Sequence, residues 1–161
     1  MIEKPDFIGL LRLLTKADAK IIVIGGVAMT LRGADYVTYD LDVCFERSAE
    51  NIDLVCRTLA PLCPAIHSAY TDTLSLLASV AKSEKFKTDL GDIDLLGEVS
   101  GLGDYAAVSV FASSITLRDF SVQALTFDGL IRAKEAANRE RDQVHLVTLR
   151  ALKEMEDQEG A

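Results

Sequence analysis

Tryptophan is absent from the 161-residue sequence, and proline, histidine and cysteine occur only three, two and three times. Each scarcity narrows the choices. Cys44, Cys56 and Cys63 are odd in number and contain no CxxC pair. That pattern argues against a disulfide framework or a structural zinc and favours reduced thiols packed as small apolar groups. No apolar run approaches the roughly 18 residues that a membrane span requires. The opening MIEKPDFIGL has no basic stretch followed by a long apolar one, so no secretory signal is visible and the cytoplasm is the expected compartment. Positive charge is also short: Lys and Arg total 17 against 25 acids, a net charge of -8. Gripping a long nucleic acid over many phosphates usually takes a basic face, so this balance leans against it. A small anion held together with a metal stays compatible, because the metal supplies the positive charge.

No Pro/Gly/Ser-rich linker or repeat divides the chain, so residues 1–161 read as one domain, with a core over about 1–126 and a helical pair over about 127–157. Phe7, Leu10, Leu11 and Leu14 recur at helical spacing. The run Lys20-Ile21-Ile22-Val23-Ile24 is β-branched, as in a strand buried on both faces, and it stops at Gly25-Gly26. Val27 to Leu31 reads as a helix with Gly33 just past its end, and Asp40 to Phe45 as a second strand. Ser48 suits the N-cap of a helix from Ala49 to about Leu59, which Pro61 ends. The stretch 63–85 carries no clear period. Phe86 to Leu96 holds one or two strands around Gly91, and Ser114–Leu117 and Val122–Leu125 are further short ones. Helices close the chain at Phe127–Ala137 and Glu140–Glu156. In the last helix Val144, Val147, Ala151 and Met155 form an apolar stripe expected to pack onto the domain. The fold class is therefore α/β, a mixed sheet with helices packed on it.

Three pieces carry chemistry. A buried strand running into Gly25-Gly26 and then a helix presents backbone N–H groups with no Cβ to keep a phosphate away. The spelling is neither GxGxxG nor GxxxxGK[ST], so the common phosphate loops do not apply. In Asp40-Leu41-Asp42, strand alternation sends both carboxylates to one face. Paired acids repel unless a cation lies between them, and oxygen ligands of this kind suit magnesium. Gly91-Asp92-Ile93-Asp94-Leu95-Leu96 repeats the spacing in an apolar setting, with Asp94 inside the run. Carboxylates on two strands beside a phosphate turn match the usual device for nucleotidyl transfer with two metal ions.

The segments IGGVAMTLRG, TYDLDV, GDIDLL and LIRAKEAANRERDQVHL together resemble the minimal nucleotidyltransferases of the DNA polymerase β-like superfamily. They are most similar to the branch that includes nucleotidyltransferase-type toxins of abortive-infection systems. The resemblance spans about Ile21 to Leu149. It implies that Gly25 and Gly26 contact the triphosphate and that Asp40, Asp42 and Asp94 bind Mg²⁺ or Mn²⁺. It also implies that Lys134 lies near the nucleotide phosphates, with Arg139 and Asp142 grouped beside it. The expected reaction moves a nucleoside monophosphate from an NTP to a hydroxyl of RNA, protein or a small molecule, and a partner protein encoded nearby would suit a toxin–antitoxin pair. Related sequences often carry arginine four residues before the first aspartate, where this chain has Tyr36. That difference removes a cationic contact and supports the alternative of a weak or inactive nucleotide-binding or partner-binding protein. Thr38, of the same strand parity as Asp40, could orient a phosphate or cap a turn. A haloacid-dehalogenase-type phosphatase also uses Asp-x-Asp, but it would leave the glycine turn unused and lacks its β-branched run before Asp40.

Overall fold

The computed structural model describes residues 4–79 and 83–160. The first helix, α1 (Phe7–Lys16), starts where the Asp6 carboxylate accepts the Gly9 N–H at 2.9 Å, and it buries Leu10, Leu11 and Leu14. Strand β1 (Ile21–Ile24) is buried along its whole length, as its β-branched run requires. It passes directly into α2 (Gly25–Leu31), so the glycine pair forms the first turn of the helix, two residues earlier than the spacing suggested. Gly25 has φ of +64°, a left-handed angle that glycine adopts without steric cost. Strand β2 (Asp40–Phe45) follows, and the fully buried Leu41 and Val43 alternate with the partly exposed Asp40 and Asp42. Thr38 precedes this strand, so it lies in the connecting segment and strand parity does not govern its direction. Ser48 caps α3 (Ala49–Leu59) by accepting the Asn51 N–H, and a 3₁₀ turn carrying Pro61 ends it.

The aperiodic stretch resolves into α4 (Pro64–Ser68), α5 (Tyr70–Ser79) and the start of β3 (Ser83–Thr88). Gly91, at φ +126°, opens β4 (Gly91–Leu96). The small β5 (Glu98–Val99), β6 (Gly103–Asp104) and α6 (Tyr105–Ser109) come next, then β7 (Ala112–Thr116) and β8 (Ser121–Leu125). Helices α7 (Phe127–Ala137) and α8 (Glu140–Glu159) finish the fold. Six strands form one mixed sheet in the order β3-β4-β2-β1-β8-β7. The pairs β2/β4 and β1/β8 are parallel, and the others are antiparallel. The mixed α/β architecture read from the sequence is thus the one observed.

The last helix differs from expectation. Val144, Val147 and Met155 are 70%, 69% and 56% exposed, so the expected stripe faces solvent. The inward face carries Leu146, Leu149 and Asp142 instead. The cause is electrostatic. The fully buried Asp142 carboxylate accepts hydrogen bonds from Lys134 at the end of α7 and from Arg139, and that anchor fixes the rotation of α8. Two faces of α8 were apolar enough to pack, and only one could bring Asp142 to its cations.

Candidate functional site

Strand register gathers the acids. Across the parallel β2/β4 pair, Asp40 lies opposite Asp92 and Asp42 opposite Asp94. On the far side of β2, Asp42 lies opposite Ile24, the residue that leads into Gly25-Gly26. A Cβ added at Gly25 would stand 2.5 Å from Asp42 Oδ2, so the glycine permits the carboxylate to lie against the start of α2. On the other flank, β3 places Lys85 opposite Asp94, and the Lys85 ammonium donates to Asp40 Oδ2 at 2.8 Å. The site is therefore a strip across four adjacent strands, with acids in the middle, a glycine turn at one end and a lysine at the other.

The electrostatics follow from that packing. Burial, then the charges of Asp94 and Asp40, pushes the Asp42 carboxyl up to about 6, against the partial relief of Lys85 and Lys134. Burial also raises Asp94, with Asp40 adding to the effect and Lys85 and a hydrogen bond from Ser83 opposing it. Oδ1 of Asp94 is buried and has no hydrogen-bond partner. An oxygen in that position costs free energy until a donor or cation meets it. Lys85 is raised, chiefly by its hydrogen bond to Asp40. Among the described residues no group of three His, Cys, Asp or Glu side chains is already drawn together as a metal cage.

Lys134 is mostly buried, and burial lowers its pKa in spite of the Asp142 carboxylate 3.2 Å away. Its charge is felt at Asp42, so the end of α7 lies within electrostatic reach of the acids. Arg139 donates from its backbone N–H, Nε and one terminal nitrogen to the two oxygens of Asp142, at 3.0, 2.9 and 3.2 Å. Burial alone would raise Asp142, but these donors and Lys134 hold it well below the usual carboxylate range. The structure thus ties Arg139 to Asp142. Thr38 donates to the Asp40 carbonyl at 3.0 Å and packs with Tyr36 over Gly26, where an added Cβ would lie 2.6 Å from Tyr36 Cε1. The hydroxyl thereby closes a turn. Tyr36 in turn meets His145 edge-on, with ring centroids 4.7 Å apart, and the buried Nδ1 of His145 has no partner.

Two of these features escape the sequence. Lys85 carries a faint signal, because Ser83, Lys85 and Lys87 alternate with the buried Phe86, but its target depends on the register of three strands. The Tyr36–His145 contact joins residues 109 positions apart and leaves no local trace. The cysteines offer no competing chemistry, since all three are buried and free and burial pushes Cys44 up to about 12. A cleft of about 250 Å³ bordered by Thr15, Asp18, Lys20, Tyr105 and Ser121 shares no residue with the acid strip. The strip holds the two carboxyls, Asp42 and Asp94, that burial and like charges raise, and it is the better candidate on that ground.

No protein-family model and no curated protein matches the chain. Among solved structures it is similar to a "putative nucleotidyltransferase (TM1012)" from Thermotoga maritima, with a TM-score of 0.60 and 11% sequence identity. The match covers 91% of this chain and 94% of that one. At that identity the likeness defines the fold: the chain has a nucleotidyltransferase-like α/β fold. It does not extend to the narrower toxin-type branch. No helix among the described residues is long and apolar enough to cross a membrane.

Proposed function

We propose that the protein is a nucleotidyltransferase that takes an NTP with Mg²⁺ or Mn²⁺ and transfers the nucleoside monophosphate to a hydroxyl. The acceptor oxygen would form a bond to the α-phosphorus and lose its proton, while the bond to pyrophosphate breaks. The observation that carries the reading is the facing pair Asp42 and Asp94, beside Gly25, with one buried Asp94 oxygen lacking any partner. Oxygen donors that are partly buried, mutually repelling and incompletely hydrogen-bonded fit a hard divalent cation. Asp42 and Asp94 would hold it, and Asp40 would join on leaving Lys85. When bound, the metal would neutralise triphosphate charge and make the attacking hydroxyl more acidic.

The chain's own groups account for the rest. No side chain caps the first turn of α2, and its N–H groups would face the phosphate oxygens. Asp142 would keep Lys134 extended toward the acids, where its charge would help to balance a triphosphate. Tyr36, which packs over Gly26 at the position where related sequences often carry arginine, favours a second reading in which nucleotide binds without turnover. Calorimetry with ATP and GTP, each with Mg²⁺ and with EDTA, tests the shared premise. Binding that needs the metal supports the site, and equal affinity in EDTA refutes it.

A further inference from the structure

Lys85 does not behave as an ordinary edge lysine. Side chains on exposed edge strands that guard against aggregation point their charge into water. Lys85 lies on β3, the edge of the sheet, and its partner across the ladder is Asp94 on β4. Yet its ammonium passes over β4 and ends 2.8 Å from Asp40 on β2. Adjacent strands lie about 4.8 Å apart, so Lys85, the Asp40 side chain and the hydrogen bond between them together bridge roughly 10 Å of sheet from β3 to β2. The stem thus crosses the face that carries Asp94 and Asp42, and its positive charge sits among three acids. Phe86, the next residue, is buried on the opposite side of β3 and fixes which way Lys85 points.

We infer that Lys85 is the resident counter-cation of this site, occupying Asp40 until a divalent metal arrives and thereby setting how tightly free metal binds. The inference rests on the metal-site reading proposed above. A cation that takes Asp40 must displace the ammonium and then tolerate its repulsion at close range. A metal that arrives with a triphosphate brings new anionic oxygens, which give the displaced ammonium another partner. Lys85 would therefore make the site poor at binding free metal and better at binding metal together with nucleotide. It acts as a positioning residue, through Asp40 and the charge balance of the site.

The test is Mn²⁺ titration of the full chain without nucleotide, followed by electron paramagnetic resonance. Lys85→Gln removes the charge and should bind Mn²⁺ at least about tenfold more tightly than wild type, while Lys85→Arg should stay within about threefold. Adding Asp94→Asn to Lys85→Gln should cancel the gain. Equal or weaker binding by Lys85→Gln overturns the inference and leaves the metal site standing. No Mn²⁺ binding to either form removes the metal site itself, and the inference with it. A second readout needs no variant: the Lys85 side-chain ammonium resonance in wild type should shift as Mg²⁺ saturates the site, and an unchanged resonance at saturation overturns the inference.

Discussion

Replacing Asp42 by asparagine should make the metal-free protein more stable, an unusual outcome for a partly buried charged residue. Asp42 is raised from 3.8 to about 6 by burial and by the charges of Asp94 and Asp40. Below pH 4 the carboxyl is protonated in both folded and unfolded chains, and its favourable contribution is fully present. As pH rises from about 4 to about 6 the unfolded chain ionises first, and that contribution is lost. Above about pH 6 the ionised group costs the folded state roughly 3 kcal/mol, at about 1.4 kcal/mol for each tenfold change in proton affinity. A side-chain amide cannot ionise, so Asp42→Asn should recover about 2–3 kcal/mol at pH 7. For a chain of this length that is a melting temperature higher by about 5–10 °C. Thermal unfolding in EDTA at pH 4.5, 5.5 and 7 reads the effect. The gap between variant and wild type should widen through this range. Asp40→Asn is the internal contrast: Asp40 already has Lys85, and an exposed pair of this kind is worth at most about 1 kcal/mol. A lower melting temperature for Asp42→Asn at pH 7, or a gap that does not vary with pH, would refute the claim that Asp42 is held among like charges.

Two further substitutions probe the supports of the site. Gly25→Ala should cost at least ~2 kcal/mol in urea unfolding, from its positive φ together with the 2.5 Å approach of the new Cβ to Asp42 Oδ2. It should also abolish metal-dependent NTP binding, and unchanged stability would mean that the turn is not held against Asp42. Asp142→Asn should destabilise by about 3–5 kcal/mol, because it leaves the mostly buried Lys134 and the side chain of Arg139 without their shared carboxylate. A loss below about 1 kcal/mol, measured by the same unfolding curves, would mean that the exposed stripe of α8 could have packed equally well.

Much of the site was legible because its signals are local. A β-branched run ending in Gly25-Gly26, and acids alternating with Leu41 and Val43 or with Ile93 and Leu95, specify two buried strands with carboxylates on one face. The cap at Ser48 similarly bounds its helix through its own side chain. Features that depend on distant partners were not legible. The rotation of α8 could not be read from its apolar spacing, since the deciding interaction is Asp142 with Lys134, eight residues back on another helix. Lys85 became part of the site only once β3 paired with β4 and β4 with β2. Helices α4, α5 and α6 are short, and their apolar residues show no clean period, so tertiary packing decides them.

The most direct test of nucleotidyl transfer is to follow the two ends of the triphosphate separately. Purified protein with Mg²⁺ or Mn²⁺ is supplied with NTP labelled at the α- or the γ-phosphate, in a bacterial extract that provides RNA, protein and small-molecule hydroxyls. Label from the α-position should appear on an acceptor and label from the γ-position only in pyrophosphate. Asp94→Ala should lower the α-transfer at least about a hundredfold, and Asp92→Ala less than about tenfold, a difference of at least ~1.4 kcal/mol in barrier. Asp94 has the buried, unpartnered oxygen opposite Asp42, whereas Asp92 follows the left-handed Gly91 and lies opposite Asp40. Transfer of γ-label to an acceptor, α-transfer unaffected by Asp94→Ala, or the reverse ranking of the two aspartates with both variants folded would contradict the account.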